Sequence, residues 1–583
     1  MRRFRHRFLA AIALLSLTLP LLAGGAAAQG SPSQGADAPN RVAIILFDQM
    51  LSKYADQFDM PNFRRLRDDG ANFKNAYLGY MASETVIAHN VIVSGQHPNH
   101  MGWVDEAYRD AGNLLGKGAG AIHITGDLSL ADFGTIVNHE GYPKLADYLH
   151  AAYPGTKFIT VGEKSYAVES ATASSGDIAV RLSSRRTNVT SDYPTGCRNL
   201  STDGAGMFPR WREPVGKNVP AYLRLPDAAD PALCGRFFIN SDSNNDYGTR
   251  AAFPSWIYPE DGNRFIPGTD ASAQAGHLGG DTWVADAAIA MMEHENWSGI
   301  FLTLGAIDKT AHMWGADADT APQNCSTGSG QTHVRCAAEN ADVQLGKVLA
   351  QIAEVDADRG GETLVVLTAD HGATYGQSFY GKVTAGASDS NWYYAPNGVW
   401  DGGAFDTALY NSPSPALAPL IATGNLQFSY QSTAIESWLV DRSPAKVQEA
   451  AAAMMTMPGV IASYWYDGDQ FRLYGTNKMT KTEKEWWKDH GQEIVDTMAA
   501  PNGPDVVGLL HDRTSYGAYG DHGGAQESVQ RVPMVFWSPS LAAGSFIGTL
   551  GGPFHTADVM PTILNAMDIP LTAPVDGEAR VLR

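Results

Sequence analysis

From residue 41 onward the chain alternates short, almost wholly apolar runs with longer segments in which apolar positions recur every three or four residues. The runs Val42–Phe47, Phe158–Val161, Ile300–Leu304, Leu364–Thr368 and Pro533–Trp537 are rich in β-branched and aromatic residues and too short for helices, so they predict strands buried on both faces. Helical spacing marks Thr85–Val93, Asp281–Met292, Cys336–Val355 and Thr556–Met567. Strand and helix in alternation predict an α/β fold, doubly wound, with a largely parallel central sheet and helices on both faces. Two stretches break the rhythm. Residues 172–270 are rich in Asp, Asn, Pro and Gly, and residues 380–505 carry a pattern of their own, with AIESWLVD and YWYDGDQFRLYG. Both are expected to be insertions capping the sheet within one large domain spanning 41–583.

The first residues change the picture of where this domain works. MRRFRHR followed by an apolar run and small residues has the layout of a secretory signal peptide, expected over 1–29, with a Gly, Ser, Pro and Ala-rich flexible leader over 30–40. The apolar run from Phe8 to Leu22 is shorter than the roughly 20 residues of a membrane span and holds Pro20, so no transmembrane anchor is expected after its removal. The protein is thus expected to be exported, to a periplasm or the medium. Net charge is −20, and loss of four arginines with the leader would take it to −24. So acidic a surface argues against a nucleic-acid groove, which needs clustered Lys and Arg. An anionic small-molecule substrate would have to be attracted locally, most simply by bound metal. Four cysteines in an exported chain fit two disulfides, and spacing favours Cys197 with Cys234 and Cys325 with Cys336, although three pairings are open. No CxxC occurs, which argues against a structural zinc knot.

Aspartates follow three of the predicted strands: Asp48 after VAIILF, Asp308 after IFLTLGAI and Asp370 after LVVLTA. Ligands of open α/β sheets sit outside the carboxyl ends of the strands, so these distant carboxylates are expected to converge. Asp308 brings His312 in IDKTAH, where a helical start puts positions four apart on one face, and Asp370 is followed by His371 in TADHG. His522 comes later, in GDHGG. Carboxylates mixed with imidazoles suit zinc, and six such ligands make two sites flanking a phosphate. Each element alone has a plainer reading as a helix cap, a turn or a surface pair; it is their order behind successive strands that points to a metal centre.

A nucleophile is expected in YMASETVIAHNVIVSG. Thr85 precedes a helix-forming run, so its hydroxyl stands where a helix N-terminus offers unpaired N–H groups to a phosphate, with Ser83 and Ser94 as alternatives.

The order of strand and Asp, Thr before a helix ending in VSG, DxxxH, DH and HG resembles the alkaline-phosphatase superfamily, in particular its nucleotide pyrophosphatase/phosphodiesterase branch. The resemblance runs from about 41 to 583 and takes in RVPMVFWSP and TADVMPTIL. It implies two Zn2+ per chain, one held by Asp308, His312 and His522, the other by Asp48, Thr85, Asp370 and His371. It further implies attack by Thr85 on phosphorus and a phospho-threonine intermediate. Two departures stand out. The resemblance implies an asparagine donor three residues beyond the nucleophile, where this chain has Ala88, leaving Asn90 or Asn99 to replace it. The monoesterase branch presents Lys-x-Arg after a central strand, where FITVGEKSYA supplies Lys164 but Tyr166 in place of the arginine. No CxPxR-like sulfatase motif occurs. The expectation is a hydrolase of phosphodiesters or nucleotide pyrophosphates, with a phosphate monoesterase as rival and a catalytically silent envelope binding protein as the reading of another class.

Overall fold

The structure is a computed structural model that describes residues 38–582 apart from several stretches, the longest being 183–210, 225–236, 241–278, 379–391, 395–414 and 542–552. The leader over 1–29, most of 30–40 and most of the first expected insertion therefore lie outside the described residues.

The central sheet has eight strands: β1 (Arg41–Phe47), β2 (Ala71–Asn72), β3 (Lys157–Gly162), β4 (Ile178–Leu182), β5 (Pro214–Lys217), β6 (Trp297–Leu304), β7 (Thr363–Thr368) and β8 (Met534–Trp537). Their order is β2-β8-β7-β1-β6-β3-β4-β5. β7, β1, β6, β3 and β4 run parallel, whereas β8, β2 and β5 join antiparallel at the two ends. The sheet is thus mixed, and the run ending RVPMVFW is an antiparallel partner of β7. All seven residues of β1 are buried, as an unbroken apolar run at the centre of a covered sheet must be.

Register decides where the chemistry lies. Phe47 at the end of β1 is level with Leu304 at the end of β6, Leu46 is level with Thr368 at the end of β7, and Thr303 is level with Gly162 at the end of β3. Four consecutive loops therefore open on one edge of the sheet.

Five helices matter for that edge: α1 (Thr85–Ser94), α2 (Ser165–Thr172), α3 (Gly279–His294), α4 (Ala306–Trp314) and α5 (His333–Arg359). α1 has no polar stripe and is buried along all ten residues, as an all-round apolar helix should be. His89 ties it to the sheet: its Nδ1–H donates to Thr85 O at 2.6 Å and its Nε2 accepts from Thr303 Oγ1 at 2.8 Å. α1 ends at Gly95, whose φ of 67° and N–H to Val91 O make a left-handed cap that favours glycine.

The second expected insertion builds a sheet of its own, antiparallel throughout, in the order Trp392–Tyr394, Leu426–Gln431, Ala434–Leu439, Val506–Leu510, Val460–Tyr466, Phe471–Thr476. Helix Pro444–Met454 packs on it through Val447 and Met454, against Leu426, Ile435 and Leu439. The sheet meets the catalytic edge directly, because Thr433 N–H donates to His522 O at 3.2 Å. Cys336, buried near the start of α5, is disulfide-bonded, while Cys197 and Cys234 lie outside the described residues. Among the described residues no helix is long and apolar enough to cross a membrane.

Candidate active site

Asp48 is the residue after β1, and Asp370 stands two residues beyond β7. Asp308 does not end a strand, as its place after IFLTLGAI implied; it lies in the first turn of α4, one turn before His312. The spacing of four does what it predicts, with His312 Nε2 3.1 Å from Asp308 Oδ1. His522 arrives from the far end of the chain, its Nε2 3.2 Å from His312 Nε2 and 3.6 Å from Asp308 Oδ1. These three form one group. In the second, ligand atoms of Asp48, Asp370 and His371 all lie within 4.8 Å of one another. His371 also lies within that range of Asp308 and His522, and its ring stacks on that of His522 at 3.7 Å, so the two groups share an edge.

The donor chemistry fits bound cations. His371 Nδ1–H donates to Gly372 O and His522 Nδ1–H to Ser83 O, each at 3.1 Å, which leaves the Nε2 lone pair of each ring turned toward carboxylates. Burial lowers the pKa of His371 to about 3 and of His522 to about 4, so both rings are neutral near pH 7. Asp48 Oδ1, Asp308 Oδ1 and Asp370 Oδ2 are buried without a hydrogen-bond partner. Lone pairs facing lone pairs in a dry pocket are what a divalent cation reconciles. Burial, then Asp308 and Asp370, push the Asp48 carboxyl well above its ordinary range, which a cation would relieve.

Thr85 is the first residue of α1, behind the N-cap Glu84, and its Oγ1 lies 3.4 Å from His371 Nε2. Of the three hydroxyls considered, it alone joins the ligand groups. Ser83 Oγ donates to Gly524 O at 3.1 Å and accepts Gly523 N–H at 3.0 Å, and Ser94 Oγ accepts Gln96 N–H at 3.2 Å. Lys164, the N-cap of α2, reaches the centre: Nζ lies 3.1 Å from Thr85 Oγ1, 2.6 Å from Asp308 Oδ2 and 2.7 Å from Asp48 Oδ2. Burial alone would lower its pKa, but Asp308 and Asp48 hold the ammonium well above the ordinary lysine value.

Asn90 does not join them. Its amide nitrogen donates to Ser170 O at 3.4 Å and its oxygen accepts from Tyr142 Oη at 2.9 Å, which fixes it between α1 and α2. Five residues on from Thr85, it projects about 140° around the helix from the nucleophile. Ala88 is buried in α1, and Asn99 Oδ1 is buried without a partner outside the group.

Beside the centre lie acids that the sequence did not single out. Glu106 accepts from Tyr430 Oη at 3.3 Å, and burial lifts its carboxyl to about 7 against the pull of Lys164. Glu84, Asp105 and Glu436 are buried, and burial first, then neighbouring carboxyls (Asp105 for Glu84 and Glu436, Glu106 for Asp105), pushes each well above the carboxylate range. Glu436 has both carboxylate oxygens unpartnered. Carboxyls with raised pKa bind protons more tightly folded than unfolded, so their stabilising contribution is full below the unfolded value of 4.5 and fades as pH rises toward the folded one. Glu436→Gln removes one such proton linkage. The variant should gain on wild type by up to about 1.4 kcal/mol per pH unit between pH 5 and 7, seen as a Tm gap that widens with pH. A gap constant across that range would mean Glu436 ionises alike in both states.

Residues 42–114 match the model of the family described as type I phosphodiesterase/nucleotide pyrophosphatase. Over 580 aligned residues, 92% of this chain and 87% of the relative, the chain is 22% identical to a protein of Zymomonas mobilis named alkaline phosphatase PhoD. The crystal structure of wild type alkaline phosphatase PafA aligns over 94% of this chain and 99% of its own, with a TM-score of 0.54 at 15% identity. The murine ectonucleotide pyrophosphatase/phosphodiesterase 5 covers 92% of this chain and 97% of its own at 10% identity, with a TM-score of 0.48. The chain thus matches the type I phosphodiesterase/nucleotide pyrophosphatase family across the strand that leads to Asp48 and the helix that begins at Thr85, and it shares its fold with an alkaline phosphatase.

Proposed function

We propose that this chain is an exported two-zinc phosphoester hydrolase that works through a phospho-threonine at Thr85, with phosphate monoesters as its preferred substrates. The observation that carries the reading is the placing of Thr85 Oγ1 between His371 Nε2 at 3.4 Å and Lys164 Nζ at 3.1 Å, beside two groups of Asp and His ligands. Asp308, His312 and His522 would hold one zinc, and Asp48, Asp370 and His371, with Thr85, the other. Bound there, the ions supply Lewis-acid charge to the phosphoryl oxygens and ease proton loss from a coordinated oxygen.

The chain's own groups do the rest. The Lys164 ammonium favours loss of the Thr85 hydroxyl proton, and Oγ1 attacks phosphorus in line with the leaving oxygen. A P–Oγ1 bond forms as the P–O bond to the leaving group breaks, and that oxygen takes a proton from solvent. Water then attacks the same phosphorus, the P–Oγ1 bond breaks, and threonine regains its proton as phosphate leaves. Unpaired N–H groups in the first turn of α1 and Lys164 face the charge on the non-bridging oxygens.

The sequence alone favoured diesters, because Tyr166 stands where a second cation was expected. The place of Lys164 supports the monoester instead, since an ammonium beside Thr85 would offset the second negative charge that distinguishes a monoester. The relatives named alkaline phosphatase agree, whereas the family match at 42–114 favours diesters and pyrophosphates as the second reading. Paired aryl mono- and diesters decide between them. Wild type should turn over the monoester faster, and Lys164→Ala should lower monoester kcat/KM about 10²-fold or more while costing diesters much less. Faster diester turnover with equal losses on both would leave the diesterase reading standing.

A further inference from the structure

Two of the three imidazoles in the ligand groups are fixed by main-chain carbonyls, His371 by Gly372 O and His522 by Ser83 O. The third is not: His312 Nδ1 is buried and has no hydrogen-bond partner. Beside this ring lies Asp521, a carboxylate with 1% exposure, one oxygen of which falls within 4.8 Å of one ring nitrogen of His312 and one of His522. The backbone sets it there. Gly520 and Asp521 form a two-residue strand paired with Thr374–Tyr375, immediately beyond Asp370 and His371. A Cβ on Gly520 would stand 2.2 Å from Ala311 O, so only glycine lets this strand press against the turn of α4 that carries His312. Ser515 Oγ donates to Asp521 Oδ2 and holds the carboxylate from the other side.

We infer that Asp521 is a positioning residue for His312. The contact inferred is between its carboxylate and the unpartnered Nδ1–H of His312, which fixes the tautomer and keeps Nε2 aimed at the point shared by Asp308 and His522. Carboxylates that orient a ligating imidazole typically change metal affinity about 10- to 100-fold. Asp521 thereby serves the ion that Asp308, His312 and His522 would hold, and the other group, built on His371, has its orienting acceptor already in Gly372 O.

The inference rests on the two-zinc reading, and stepwise zinc affinities by chelator competition separate the two. In wild type, two zinc ions bind per chain. Asp521→Ala should weaken one of them about 10- to 100-fold and leave the other within about threefold, and Asp521→Asn, which keeps an acceptor oxygen of the same shape, should fall between. With cobalt(II) in place of zinc, only one site's visible bands should shift. In a His312→Ala background, Asp521→Ala should add no further loss, since its action passes through that ring. Two zinc ions bound equally well with and without Asp521 would overturn the inference and leave the two-zinc reading intact. Equal weakening of both sites, or loss as complete in Asp521→Asn as in Asp521→Ala, would overturn it by making Asp521 a general support or a direct ligand. A wild-type protein that binds no zinc would overturn both.

Discussion

Thr85→Ala is expected to lower kcat by at least about 10³-fold on every phosphoester while leaving both metals in place. The reason is chemical. In the proposed mechanism the hydroxyl supplies the bond-forming atom of the first half-reaction, and the two other candidate hydroxyls are engaged elsewhere, Ser83 by Gly524 O and Gly523 N–H and Ser94 by Gln96 N–H. Metal content should survive, since three side chains of that group, Asp48, Asp370 and His371, remain within 4.8 Å of one another. Thr85→Ser should keep part of the rate, because a primary hydroxyl can ionise and attack in the same way. Rapid quenching with mass spectrometry should place phosphate on residue 85. Phosphate found on Ser83 would show that the nucleophile has been misassigned.

The second large effect should come from removing the metals. Exhaustive chelation is expected to abolish hydrolysis, a loss of at least about 10³-fold, and zinc should restore it. Among the described residues the ammonium paired with Asp48 and Asp308 is that of Lys164, against three carboxylates with Asp370, so the metal-free centre would repel a phosphate instead of binding it. A chain of net charge −20 has no long-range field to compensate. Chelation should also lower Tm, because ions bound by the folded state stabilise it in proportion to the logarithm of their concentration over Kd. Full activity in a protein shown by elemental analysis to be free of metal would end the metal-centre reading altogether.

The convergence of the candidate ligands was legible in the sequence because it obeys sheet geometry. Strands buried on both faces announce themselves as apolar runs, and residues just beyond parallel strands share one edge whatever their separation in the chain. Asp48, Asp370 and the Asp308–His312 pair follow from that rule, whereas Lys164 came from the family resemblance and lies just beyond β3 on the same edge. His522 rested on its motif alone, and the strand it follows has only two residues. Asn90 is near Thr85 in sequence but not at the site, because five helical positions turn its side chain away toward Ser170 and Tyr142. Asp521 was in view within GDHGG, but an acidic neighbour of a histidine carries no periodic signal. The acids Glu84, Asp105, Glu106 and Glu436 were out of reach, since they come from a helix cap, a loop and a strand of the second sheet and meet only through tertiary packing.

The second sheet was expected as an attachment to the fold, yet its contacts tell of something less detachable. The turn between its strands Leu426–Gln431 and Ala434–Leu439 holds the loop of His522 through Thr433 N–H to His522 O and Ser432 Oγ to Gly523 O. The residue before the nucleophile, Glu84, shares its burial with Glu436 from the same sheet. The edge that carries the candidate site and the cap thus share a seam of hydrogen bonds and buried carboxyls. Such a chain is not modular at that boundary: exchanging the cap for one from a relative would transplant half of the wall that fixes the last metal ligand. New substrate ranges are then more readily reached by altering side chains along the seam than by swapping the piece itself.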